Sequence, residues 1–190
     1  MISRSSFWLD AGDRRVLMRP PLLADAERLA ETQRRLRDHL AASSIHRDPD
    51  FYTTDGQLAR LRAQLDQASR GALAPWLLLV GDRIVGDVAV SHIVLGPLRC
   101  GNLGYWLDPE WTGRGLATGA ALQACAFARD ELRLHRLEAG TLTENTASQR
   151  VLERAGFSRI GVARSYLFVN GRWRDHVLFE KVLDEQEPPG

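Results

Sequence analysis

Gly113 and Gly115 are the residues whose type and spacing speak first of chemistry in this chain. They stand in the run Gly104-Tyr-Trp-Leu-Asp-Pro-Glu-Trp-Thr-Gly-Arg-Gly-Leu-Ala117, which leads into a segment rich in alanine. Gly104 to Leu107 read as the end of a strand. Asp108 and Pro109 then mark a turn, because proline presets the backbone and aspartate bonds nearby amides. The glycines open a helix. A strand, a glycine turn and a helix start gather backbone N–H groups in one concavity at the positive end of a helix dipole. That arrangement holds phosphate. The segment therefore argues for a ligand with a pyrophosphate group.

The rest of the chain bounds that reading. Its 190 residues suffice for one domain with a substantial core. A net charge of +1 supplies no general field toward nucleic acid or membrane, so neither is an expected partner. Lys181 is the only lysine, and arginine carries the remaining positive side-chain charge. Cys100 and Cys125 are the only cysteines, too few for a disulfide framework, and no Cys/His cluster has zinc spacing. No metal site is expected. The N-terminus lacks the apolar core of a signal peptide, and the longest apolar run, Trp76 to Val80, is far too short to span a bilayer. These features predict a cytoplasmic protein.

The elements that must position the glycine turn follow from pattern. Val16 to Arg19 read as a strand stopped by two prolines, and a helix runs from about Ala24 to Leu40. Ser43 to Thr54 read as a loop, and a helix with Leu58, Leu61, Leu65 and Ala68 on one stripe ends at Gly71. Three strands follow, at 76–80, 83–95 and 99–107, then the helix from Gly115 to about Leu132. Leu137 to Thr143 is a strand and Asn145 to Ala155 a helix, closed by Gly156. A hairpin around Asn170-Gly171 ends the fold. The expected class is α/β: one domain over residues 13–183, with a mixed, mostly antiparallel sheet and about four helices. Residues 1–12 and 184–190 are expected to be terminal extensions.

Three pieces carry a family resemblance. They are Thr112 to Ala117 at one helix start, Glu144 to Ser148 followed by Ala155-Gly156-Phe157, and Tyr166 to Val177 around the hairpin turn. In this order and on these elements they resemble the GNAT superfamily of acetyl-CoA-dependent N-acetyltransferases. More narrowly they are similar to the RimJ/RimL group of ribosomal-protein N-terminal acetyltransferases, the last piece being most similar to the RimJ branch. The resemblance implies a single domain with splayed central strands. It implies a pyrophosphate cradle from the backbone amides of Gly113, Arg114, Gly115, Leu116, Ala117 and Thr118. It also implies that Asn145 lies near the pantetheine arm and Ser148 near the sulfur, where Ser148 protonates the departing thiolate. Helix capping is the structural alternative for Asn145. The strand ending at Leu107 is implied to part from Leu137 to Thr143, so that Trp106 and Leu107 offer backbone groups to the donor as an added strand would. A free N–H there polarises the thioester carbonyl.

The chain also departs from the family pattern. Thr112 stands where relatives have glutamine or arginine, and Leu152 where some have a tyrosine. No glutamate matches near Ser165 to Leu167. The base candidates are Glu138 and His176, with Asp175 and Glu144 behind them; each also reads as an ordinary strand, hairpin or helix-start residue. A strong base is not essential for an α-amine, whose pKa of about 7.7–8.0 leaves roughly 10–20% neutral at pH 7. A lysine amine near about 10.4 is almost never neutral there. The expectation is direct acetyl transfer to a protein N-terminal α-amine, by resemblance an alanine on a ribosomal protein. The alternatives are a small-molecule amine as acceptor, or a non-catalytic module that binds acyl-CoA and regulates a partner. The acceptor groove is expected between the 43–54 loop and the final hairpin, with Phe51, Tyr52, Tyr166 and Phe168 as walls and Asp48 and Asp50 as attractors of an ammonium group.

Overall fold

In a computed structural model, residues 5–41 and 46–185 are described. Thirteen elements follow one another among them: β1 (Phe7–Ala11), β2 (Arg14–Arg19), α1 (Ala26–Arg35), α2 (Arg37–Ala41), α3 (Thr54–Ser69), β3 (Ala74–Val80), β4 (Arg83–Val94), β5 (Cys100–Leu107), α4 (Leu116–Asp130), β6 (Arg136–Leu142), α5 (Thr146–Arg154), β7 (Ser158–Val169) and β8 (Arg172–Val182). The eight strands form one sheet in the order β1-β2-β3-β4-β5-β6-β8-β7. Every neighbouring pair is antiparallel except β5 and β6. Among the described residues no helix is long and apolar enough to cross a membrane.

The apolar run in β3 is explained by burial on both faces. Trp76 and Leu78 face the core shared with α4, whereas Leu77 and Leu79 pack with Leu29 of α1 and Leu61 of α3. The alanines of α4 serve close approach: Ala120, Ala121, Ala124 and Ala128 are buried against the sheet. Phe127 of the same helix meets Trp76 edge to face at 4.9 Å. Asn170 and Gly171 both take positive φ (50° and 73°), as the two-residue hairpin turn requires.

Three features differ from the sequence expectation. The strand at Arg14–Arg19 has a partner, β1, in residues that carry no strong strand signal; Gly12 at φ 68° turns one into the other. The helix expected from Ala24 to Leu40 is two helices, because buried Leu36 leaves helical geometry (φ −95°, ψ 9°) and redirects the chain. This makes five α-helices rather than about four. Of the expected 43–54 loop, Ser43, Ser44 and Ile45 lie outside the described residues; further on, Thr53 caps α3 by accepting from the Gly56 N–H at 3.0 Å.

Candidate active site

The site begins where two strands part. β5 pairs with β4 from Cys100 through Leu107 but with β6 at only three rungs, Cys100 with Arg136, Gly101 with Leu137 and Asn102 with Glu138. Gly86 lets β4 and β5 close tightly, since a Cβ there would lie 2.6 Å from the Trp106 carbonyl oxygen. The Asp108 N–H donates to the Val85 carbonyl at 2.8 Å. Antiparallel alternation from that bond engages the Trp106 backbone with Asp87 of β4, and turns the N–H and C=O of Tyr105 and Leu107 toward the gap. Leu107 thus has the free backbone groups expected of it. Trp106 does not, and this corrects the expectation: its backbone is engaged with β4, and its indole N–H bonds Asp87.

A cavity of about 560 Å³ fills the gap. Tyr105, Trp106 and Leu107 form one wall, Gly113 with Gly115 through Thr118 the mouth, and Asn145 and Ser148 the far side. Gly113 and Gly115 take φ 73° and 77°, and nothing lies within 4 Å of a Cβ built at either, so the turn is open. No side chain caps α4, and its first backbone bond runs from the Gly119 N–H to the Gly115 carbonyl at 2.9 Å. The N–H groups of Leu116, Ala117 and Thr118 precede that bond and have no acceptor within the helix. They are three donors without a partner in the helix, at the mouth of the cavity. Arg114 is not among the residues lining the cavity; its guanidinium lies over the Trp111 ring, 5.3 Å from the centroid. Arg150 and Arg154 stand at the rim.

Asn145 caps α5, its Oδ1 accepting from the Ser148 N–H at 3.0 Å. This cap fixes Ser148, whose hydroxyl lies 2.9 Å from the Tyr105 hydroxyl. Burial pushes the Tyr105 phenol up to about 12 against the opposing bond from Ser148, so the phenol is neutral across the physiological range. Sequence reasoning missed Tyr105; the available signal was its place two residues before Leu107, on the side of β5 that faces α5.

The expected bases do not converge on this cavity. Glu138 sits at the last paired rung of β5 and β6, bonded at 2.9 Å to Arg136, which also holds Glu180 at 2.6 Å. His176 is buried on β8, its ring against Tyr166 and its Nδ1 3.1 Å from the Arg174 carbonyl. Neither lines the gap, which corrects both expectations. Asp175 accepts from the Ser165 N–H at 2.8 Å, and Glu144, though on the cavity wall, is paired with Arg174. Cys100 and Cys125 are buried, as expected of packing thiols; burial pushes Cys125 up to about 11.

A second cavity, about 330 Å³, opens on the sheet face opposite α4. Trp106 and Leu40 belong to the walls of both cavities. Phe51 and Tyr52, two of the expected groove walls, line the second one, whereas Tyr166, Phe168, Asp48 and Asp50 do not. Its floor holds Asp87, a residue that sequence reasoning passed over. Burial pushes the Asp87 carboxyl above the usual aspartate range, against Arg60 at 3.2 Å, the Trp106 indole N–H and Arg47. The signal for Asp87 was a carboxylate at a strand position whose neighbours Val85, Val88 and Val90 are all core residues.

Comparison with known proteins supplies the context. A family model described as an acetyltransferase (GNAT) domain matches residues 15–158. The probable N-acetyltransferase YjcK of Bacillus subtilis is 34% identical over 174 residues, 90% of this chain and 96% of that protein. The crystal structure of the ribosomal-protein-S5-alanine acetyltransferase of Vibrio fischeri superposes with a TM-score of 0.90 at 30% identity, covering 97% of this chain and all of the other. Mycobacterium smegmatis RimJ, solved in complex with CoA-disulfide, superposes at 0.88 with 27% identity, over 93% of this chain and 86% of that one.

Proposed function

This chain belongs to the GNAT acetyltransferases, and from that premise we propose that it transfers an acetyl group from acetyl-CoA directly to the α-amine of a protein N-terminus. The observation that carries the reading is the meeting of two cavities at one residue, Trp106. The gap between β5 and β6 suits a long donor with a diphosphate, and the cavity across Trp106 suits an amine acceptor. An N-terminal alanine on a ribosomal protein, of the kind named for the Vibrio fischeri relative, is the proposed acceptor.

Acetyl-CoA supplies an acetyl group activated as a thioester. The N–H groups of Gly113 to Thr118 hold its diphosphate, and the open turn leaves room for it. Tyr105 and Leu107 bond the pantetheine arm along the strand edge. A free backbone N–H on β5 holds the carbonyl oxygen as charge develops there. The Ser148 hydroxyl, fixed by Asn145 and Tyr105, donates a proton to the leaving sulfur. Asp87 receives the proton that the ammonium group must lose, since it is the one carboxylate on the described wall of the second cavity.

That cavity also carries Arg37, Arg47 and Arg60, which disfavours a polyamine as acceptor. The deciding experiment is a thiol-release assay with acetyl-CoA against peptide N-termini, lysine peptides and small amines. Alanyl peptides are expected to react fastest. Preference for lysine ε-amines or for free polyamines would refute the acceptor assignment, and thiol release with none of them would favour the non-catalytic alternative.

A further inference from the structure

We propose that Arg37 and Arg47 form an anion subsite in the second cavity, selecting acceptors that bear a carboxylate within the first few residues after the reacting amine. The inference rests on the acceptor reading above and narrows it to a substrate class.

Three guanidinium groups line this cavity, and its one described carboxylate, Asp87, is engaged by Arg60 at 3.2 Å. Arg37 lies over the Tyr52 ring at 4.7 Å and Arg47 over the Phe51 ring at 4.6 Å. A guanidinium held against a ring in this way can still present its N–H fork, which binds a carboxylate with two parallel bonds. Among the described residues neither Arg37 nor Arg47 has a carboxylate at ion-pair distance. The intervening sequence at 42–45, Ala-Ser-Ser-Ile, carries none. Arg47 is also held below the usual arginine range, first by desolvation and next by Arg60, and an incoming anion offsets the repulsion from Arg60. The excess positive charge thus sits beside the acceptor path, apart from the nest that serves the donor.

The test compares alanyl peptide amides that differ only in Glu, Gln or Lys at the second and third positions, assayed with acetyl-CoA and the full-length enzyme. A second arm compares Ala-Ala with a free and an amidated C-terminus, separating a side-chain carboxylate from a terminal one. Glu peptides are expected to exceed Gln peptides in kcat/KM by about tenfold, the ratio falling with ionic strength. In R37Q and R47Q, both exposed or rim positions, the Glu-over-Gln ratio is expected to move toward one. Equal rates on Glu and Gln peptides, or a preference for Lys, overturn the subsite and leave the acceptor reading intact. Failure of every peptide removes both.

Discussion

Two hydroxyl groups 2.9 Å apart, on Tyr105 and Ser148, set the finest scale at which this molecule can be tested. Ser148 projects into the gap with its direction fixed by the phenol and by the Asn145 cap. Ser148→Ala is expected to lower kcat by about tenfold, with the deficit shrinking above roughly pH 8.5 as the sulfur leaves unaided. Tyr105→Phe removes the partner but keeps the ring, and is expected to give a smaller kcat loss of the same pH form. A deficit that grows with pH in either variant would rule out proton donation. Asp87 makes the complementary case. Its raised pKa means that the fold disfavours the ionised carboxyl: the stability it contributes is complete below the unfolded value and is lost as pH rises through the folded one. Asp87→Asn is therefore expected to keep or raise the melting temperature at pH 7 while lowering kcat about a hundredfold and abolishing the acid limb of the rate profile. Pairings of this kind were not legible beforehand. Ser148 and Asn145 came from a family resemblance at a helix start, whereas Tyr105 and Asp87 acquire their meaning only from which way a strand turns.

At the level of elements, the turn between β5 and α4 is the part on which the proposed donor binding depends. Asp108 anchors it. Its carboxyl accepts from Arg35 at 2.6 Å, from Arg83 at 2.7 Å and from the Glu110 N–H at 3.1 Å, joining α1 and β4 to the turn. Burial pushes this carboxyl up, but the hydrogen bonds from Arg35, Arg83 and Glu110 outweigh it and hold the group below the usual aspartate range. The stability it adds is present above the unfolded value and is lost as pH falls through the folded one. Asp108→Asn is expected to cost about 1–3 kcal/mol at pH 7, to flatten the acid side of the stability curve, and to raise KM for acetyl-CoA; thermal melts across pH read the first two. Gly115→Ala is expected to raise that KM too, at a cost of about 1 kcal/mol from positive φ alone, since the site is open. The order of elements was legible because strand alternation, helical stripes and Gly/Pro stops agree along most of the chain. β1 and the break at Leu36 were not. The first is a short strand held by its partner, and the second is a redirection that tertiary packing imposes on a continuous helical pattern.

For the whole molecule, the decisive fact is that β1 to β5 and β6 to β8 are sewn together by three rungs of parallel pairing and by the helices beneath them. A donor lying in the gap binds the folded form alone, so acetyl-CoA at a hundred times its Kd is expected to add about 2.7 kcal/mol, or roughly 5–10 °C in melting temperature. A shift absent at saturating donor would refute the placement. The fold, and the open glycine turn where the donor is proposed to sit, follow from residues close in sequence and so were readable in advance. The second cavity, the proposed acceptor side, is lined by α1, α2, α3, β4 and β5, elements brought together only by folding, and its arginines look in sequence like ordinary surface charge. Trp106 is the one aromatic residue that belongs to both cavity walls. Its emission, taken as the difference from a Trp106→Phe variant because Trp8, Trp76, Trp111 and Trp173 emit as well, becomes a built-in optical gauge: each reactant should quench or shift it separately, and the two together should produce a third spectrum that betrays their simultaneous presence on the enzyme.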